Sequence, residues 1–163
     1  MSTTSAARAD QARSATINIH ATCVAIGEMG VLLRGPSGTG KSDLALRLIE
    51  GGADLVADDR VDIRRDGGRV MASAPSALAG LIEATGLGPL EVANRAEVAI
   101  GLIVDLVPRC ELERMPEPAQ ESLLEIDLPC VTLDPFGAAT PAKLKLLAGG
   151  ARMVSEARSH DPG

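Results

Sequence analysis

Gly35-Pro36-Ser37-Gly38-Thr39-Gly40-Lys41-Ser42 spells G-x-x-x-x-G-K-S, and its flanks decide how the chain folds around it. The apolar run Val31-Leu32-Leu33 leads in as a strand. Ser42 to Ile49 leads out as a helix, with Leu44, Ala45, Leu48 and Ile49 on one face. A strand, a glycine-rich turn and a helix in this order make a phosphate cradle. Glycine lets successive backbone N–H groups turn inward with no Cβ in the way. The helix N-terminus adds partial positive charge. Lys41 can bridge outer phosphates, and the Ser42 hydroxyl can ligate Mg²⁺. The residues point to a nucleoside triphosphate or a close analogue.

Working outward, Thr16 to Ile26 alternates as one half-buried strand carrying His20, and Gly27 to Gly30 turns it into the strand before the loop. Gly51-Gly52 stops the helix, and Leu55-Val56-Ala57 forms a short strand that ends in Asp58-Asp59. Residues 60–65 and 69–73 form a second hairpin around Asp66-Gly67-Gly68. Pro75 opens a short helix over 76–83, before the glycine-rich stretch 85–89. Val98 to Val107 is the most apolar strand, residues 108–122 are a proline-rich mobile loop, and 128–133 is the last strand. A closing helix starts near Thr140-Pro141, with Thr as cap, and ends at Gly149-Gly150. Two hairpins among these strands predict an α/β domain with a mixed central sheet flanked by helices, not an all-parallel one. Residues 1–14 read as a disordered lead-in, 15–150 as the folded P-loop domain, and 151–163 as a disordered tail.

Length and composition fit one domain able to bury its own core: 163 residues, of which 45% are hydrophobic. No apolar stretch approaches the roughly 20 residues that span a bilayer, and the first residues lack the apolar segment of a signal peptide. The net charge of −6 argues against general nucleic-acid binding. With no Trp or Tyr and a single Phe, an adenine ring is expected to rest on aliphatic side chains and backbone. The odd count of three cysteines, Cys23, Cys110 and Cys130, reads as reduced thiols in a cytoplasmic protein without a zinc site.

Phosphoryl transfer is mostly positioning and charge stabilisation, so the loop needs a carboxylate for the metal and a group to take the proton of the nucleophile. Two places compete. Asp105 ends an apolar strand like a Walker B aspartate, yet the apolar run continues past it. Asp58 and Asp59 end the strand that follows the loop's helix, where one can serve the metal and the other accept a proton. His20 alone reads as a structural histidine and Arg114 as a solvated charge.

Taken together, the motifs resemble the catalytic domain of bacterial HPr kinase/phosphorylase, over about Ile19 to Leu147. The family's L-V-A-D-D-R stands here as Leu55 to Arg60, and its L-[IL]-E-x-R-G-L-G as Leu81 to Gly88. The resemblance implies a P-loop kinase domain of PEP-carboxykinase-like architecture that uses ATP and Mg²⁺ to phosphorylate a serine of the phosphocarrier protein HPr. It implies nucleotide contacts at Gly35, Pro36, Ser37, Gly38, Thr39, Gly40, Lys41, Ser42 and Asp58. It implies catalytic roles for His20, Lys41, Asp59 and Arg114, with Asp59 as proton acceptor, and Mg²⁺ ligands at Ser42 and Glu83. Asp105 drops out as a metal residue. The family assembles as hexamers. Thr85 replaces the arginine of the second motif, and Leu133 to Ala139 replaces a P-x-R-P-G-R-N stretch tied to dephosphorylation. Forward phosphorylation is therefore expected to outweigh the phosphate-dependent reverse. Two other readings remain: a small-metabolite kinase, and a nucleotide-binding regulatory module without turnover.

Overall fold

The computed structural model describes residues 15–154, so the lead-in and most of the predicted tail lie outside the described residues. Residues 151–154 are exposed and carry no regular structure. The centre is β3 (Met29–Arg34), which delivers the chain to the phosphate loop and is buried along most of its length. On one side it pairs parallel with the ten-residue β9 (Glu97–Leu106), which in turn pairs parallel with β11 (Ile126–Leu133). On the other it pairs antiparallel with β2 (Thr22–Ile26), which carries β4 (Asp54–Ala57), also antiparallel. The mixed sheet expected from the two hairpins is thus present.

The strand expected over Thr16 to Ile26 is two strands. β1 (Thr16–His20) leaves the run at Ala21 and pairs with β5 (Arg60–Asp66), whereas β2 stays with β4. The partner run breaks at the same level, between β4 and β5, where Ala21 N–H donates to Asp59 C=O at 3.3 Å. Strand β6 (Arg69–Ser73) closes the hairpin with β5 and joins the N-terminal end of β9, completing a nine-stranded curled sheet. The matched breaks have one consequence for function: they place His20 and Asp59 at the same corner.

Both sheet faces are buried. Inside the curl, Cys23, Leu32, Val56, Ile63, Ala72 and Ile103 pack together. On the outer face, Val31, Leu33, Val104 and Leu106 meet the helices α1 (Lys41–Glu50) and α2 (Thr140–Ala148). Leu44 and Leu48 of α1 are fully buried, each contributing about 1.5–3 kcal/mol as an upper figure. That anchorage fixes the helix whose N-terminus faces the phosphate loop. Gly30 permits the close approach of β3 and β9: a Cβ there would sit 2.6 Å from the Ala99 carbonyl oxygen.

Three local expectations change. The helix predicted over 76–83 is a single 3₁₀ turn, Ser76–Leu78, followed by β7 (Leu81–Ala84), which pairs antiparallel with β8 (Gly88–Glu91). The loop predicted over 108–122 contains a 3₁₀ turn at Arg109–Glu111 and then β10 (Ala119–Leu123), paired with β11. Thr140 does not cap α2 by side chain. It is the first helical residue, and its hydroxyl donates to the Asp134 carbonyl at 2.6 Å. The three cysteines are free thiols, and among the described residues no helix is long and apolar enough to cross a membrane.

Candidate active site

The loop takes its shape from residues that only glycine suits. Gly38 and Gly40 have φ of +82° and +102°, and α1 begins at Lys41 with no side-chain cap on its first N–H groups. Those unpartnered donors, aligned with the helix dipole, fit an anion. Thr39 Oγ1 donates to the Pro36 carbonyl at 2.7 Å and tightens the turn. Lys41, the first residue of α1, is only 7% exposed. Its Nζ donates to the carbonyls of Gly35 (2.6 Å) and Pro36 (3.0 Å). Burial lowers its pKa, while the charges of Asp59 and then Asp58 pull the other way.

Asp58 is buried (5% exposed) and fully engaged. Its Oδ1 accepts from Ser42 Oγ at 2.7 Å and from Thr22 Oγ1 at 2.9 Å, and its Oδ2 accepts from the Glu83 backbone N–H at 2.9 Å. Ser42 spends its proton on Asp58, which leaves the hydroxyl lone pairs free for a cation. Asp59 is the opposite case. It lies in the left-handed region with φ of +68°, inside a three-residue turn closed by Arg60 N–H donating to Asp58 C=O at 2.7 Å. These are the features of the rare strained γ-turn. The turn sends adjacent carboxylates to different tasks: one is locked against the helix, and the other projects with a side chain 61% exposed.

His20 ends β1 across from this turn. Its Nδ1 lies 3.3 Å from Asp59 Oδ1, and its Nε2 lies 3.3 Å from Ser37 Oγ in the loop. The neutral tautomer with the proton on Nδ1 satisfies both contacts, donating to the carboxylate and accepting from the serine. His20 therefore ties the projecting carboxylate to the phosphate loop.

A cavity of about 420 Å³ opens between these groups, bounded by His20, Ser37, Lys41, Ser42, Asp59 and Glu83, with Thr85 and Phe136 at its edge. Its donors suit the groups the sequence implies. Hydroxyl and carboxylate oxygens from Ser42 and Glu83 match Mg²⁺, which prefers hard oxygen ligands. The loop N–H groups and Lys41 match phosphate. A larger cavity of about 620 Å³, between β11, the segment after β9 and α2, contains none of these groups and stands apart from the chemistry.

Asp105, which the resemblance sets aside, and Arg114, which it places in the site, both lie elsewhere. Asp105 pairs with Arg34 through two hydrogen bonds, Nε to Oδ1 at 2.8 Å and a terminal nitrogen to Oδ2 at 3.0 Å. Arg34 also contacts Glu121, and Cys130 Sγ donates to Asp105 Oδ2 at 3.4 Å. Burial and then the Asp105 charge push the Cys130 thiol up to about 11, so it stays protonated. Asp105 neutralises an arginine at the C-terminal end of β3, whereas Ser42 bonds Asp58. Asp105→Asn is expected to cost about 1–2 kcal/mol of stability, because one charge-assisted bond of a partly exposed pair is lost. Phosphotransfer should change by less than about threefold. A thermal melt and a transfer assay on the same preparation check this, and a severe loss of transfer without loss of stability would restore Asp105 as a metal residue. Arg114 lies exposed beyond the 3₁₀ turn after β9 and does not line the phosphate-loop cavity.

The described geometry coincides with a known family. The profile of the HPr Serine kinase C-terminal domain matches residues 11–136. The chain belongs to that family. An HPr kinase/phosphorylase from Lactobacillus acidophilus is 39% identical over 109 residues, covering 60% of this chain and 34% of that protein. One from Lacticaseibacillus casei (strain BL23) is 36% identical over 128 residues, covering 71% of this chain and 40% of that protein. The chain thus spans well under half the length of these curated relatives. The structure of the Hpr(Ser) kinase/phosphatase from Coxiella burnetii aligns with a TM-score of 0.73 at 29% identity, covering 82% of this chain and 94% of that one. The fold is that of this P-loop kinase family.

Two contributors escaped the sequence reading. Thr22 is completely buried and helps fix Asp58, and a polar residue inside an apolar strand was its only signal. Phe136 borders the cavity, and its being the sole aromatic residue was the available clue.

Proposed function

We propose that this chain is an ATP- and Mg²⁺-dependent protein-serine kinase that phosphorylates HPr. The observation that carries this reading is the placement of Asp59: a projecting carboxylate on a strained turn, paired with His20, facing the phosphate loop across one cavity. ATP supplies the phosphoryl group, and Mg²⁺ offsets charge on the phosphates. The chain's own groups do the rest. The loop N–H groups and Lys41 hold phosphate oxygens, while Ser42 and Glu83 hold the metal. Asp58 keeps Ser42 turned so that its lone pairs stay available. Asp59 accepts the proton of the incoming serine hydroxyl, and His20 fixes the direction of its carboxylate. The names of the relatives support HPr as the acceptor, and the reduced thiols suit a cytoplasmic setting.

Direction follows from charge. Phosphorolysis would bring inorganic phosphate beside a phosphoserine, two anions at short range that need cations beyond Lys41 and Mg²⁺. Thr85 and Phe136, both neutral, border the cavity. Labelled ATP, Mg²⁺ and purified HPr should give label on a serine of HPr, with pyrophosphate release from phospho-HPr and phosphate markedly slower. Label on a small molecule alone would indicate a metabolite kinase. Tight ATP binding with no transfer to either would indicate a regulatory module.

A further inference from the structure

The single Phe of a chain without Tyr or Trp rests on the phosphate loop, and nothing in the mechanism uses it. Phe136 lies in the turn between β11 and α2. A Cβ built on Gly40 would lie 2.7 Å from its Cζ and 3.0 Å from its Cε1, so the ring sits directly against the loop's last glycine. The ring is nevertheless 65% exposed and borders the same cavity as Lys41 and Ser42.

Its backbone is fixed from several sides. The Asp134 carboxylate accepts from Phe136 N–H at 2.9 Å, and the Asp134 carbonyl accepts from Thr140 Oγ1 at 2.6 Å. Arg47 of α1 donates to the Pro135 carbonyl, and at 3.5 Å to that of Gly137. The turn is bound to both helices while its ring stays open to solvent. The pinned backbone leaves the ring face free to meet a ligand in the cavity it borders.

The loop has two ends, and its polarity says what the ring meets. At Ser37 it touches His20, which holds Asp59, so the acceptor hydroxyl and the transferred phosphate belong there. At Gly40 it touches Phe136. A nucleotide laid along the loop with its terminal phosphate toward Asp59 must send its nucleoside out past the helix end, on the side of Phe136. We propose that Phe136 is the base platform of the nucleotide site, stacking the purine in a chain that has no Tyr or Trp to do so. The inference rests on the nucleotide-dependent reading above and adds the residue that grips the nucleoside. Stacking uses the ring face common to all bases, so discrimination between ATP and GTP should be weak.

Binding measurements test this without reference to catalysis. Phe136→Ala should weaken ATP and ADP about tenfold and leave tripolyphosphate affinity within about twofold. Phe136→Trp should hold ATP at near wild-type strength. Because the chain has no tryptophan, its emission then reports the site alone: it should change on adding ATP and not on adding tripolyphosphate. ATP affinity unchanged in Phe136→Ala overturns the platform. So does an equal loss for tripolyphosphate, which would make the ring a prop for the loop, or a defect confined to the KM for HPr, which would make it a protein contact. A wild-type chain that binds neither ATP nor tripolyphosphate overturns the nucleotide reading itself, and the platform with it.

Discussion

Asp59→Asn is expected to lower serine phosphorylation by roughly 10²-fold or more while nucleotide and Mg²⁺ affinity stay close to wild type. Asparagine matches aspartate in size and is among the few residues that tolerate a φ of +68°, so the γ-turn survives. Its side-chain oxygen can still accept from His20 Nδ1, now 3.3 Å from the carboxylate. What disappears is the carboxylate that the proposed mechanism uses to take the proton of the attacking hydroxyl. The neighbouring carboxylate cannot stand in: Asp58 is buried and committed to Ser42, Thr22 and the Glu83 backbone. Isothermal titration with ADP and Mg²⁺ beside a transfer assay separates the two roles. Weakened nucleotide binding with the chemical step intact would move Asp59 from proton acceptor to metal residue.

The division of labour between these carboxylates explains how much of the site the sequence disclosed. Their position at the end of the strand after the loop's helix follows from patterning, because Leu55, Val56 and Ala57 are buried as their composition demands. Which aspartate faces which task does not follow. It depends on a turn of three residues and on matched breaks in two strand runs, set by pairing between strands far apart in sequence, such as Ala25 with Asp54 and Thr16 with Arg64. The misread elements have equally local causes. Leu81 to Ala84 alternates burial with period two, but the Pro75-Ser76 pair in front imitates a helix start, and the turn that pairs β7 with β8 comes only afterwards. The β10–β11 hairpin turns through Leu124 and Glu125 at φ of +50° and +66°. Those are the angles of a primed turn, which normally calls for Asn or Gly, so no turn was visible there. Pairing with β11 sustains a strand that Ala119 to Leu123 would not favour alone. The resemblance to the kinase family supplied what patterning could not, the expectation that His20 belongs to the site, and the fold sets its Nδ1 3.3 Å from Asp59 Oδ1.

Lys41→Ala is expected to remove phosphotransfer to HPr by roughly 10³-fold, at the upper end of what one charged stabiliser contributes. The ammonium is the cation nearest the loop's centre, and burial makes its charge count for more than it would in water. The same burial lowers its pKa, but Asp59 and Asp58 oppose the shift and favour the charged form the chemistry needs. Nζ donates to the Gly35 and Pro36 carbonyls, bonds that phosphate oxygens would replace or share. The same bonds keep the ammonium positioned beside the cavity that the phosphates would enter. Alanine abolishes both the contact and the positioned charge, yet as the strongest helix former it suits the first position of α1. The fold should therefore survive with a small fall in Tm, while ATP and tripolyphosphate both bind weakly. That common loss distinguishes Lys41 from Phe136, whose removal should spare tripolyphosphate. Near wild-type transfer by Lys41→Ala would sink the phosphate-loop assignment, and a collapse in Tm would trace the loss of activity to the fold.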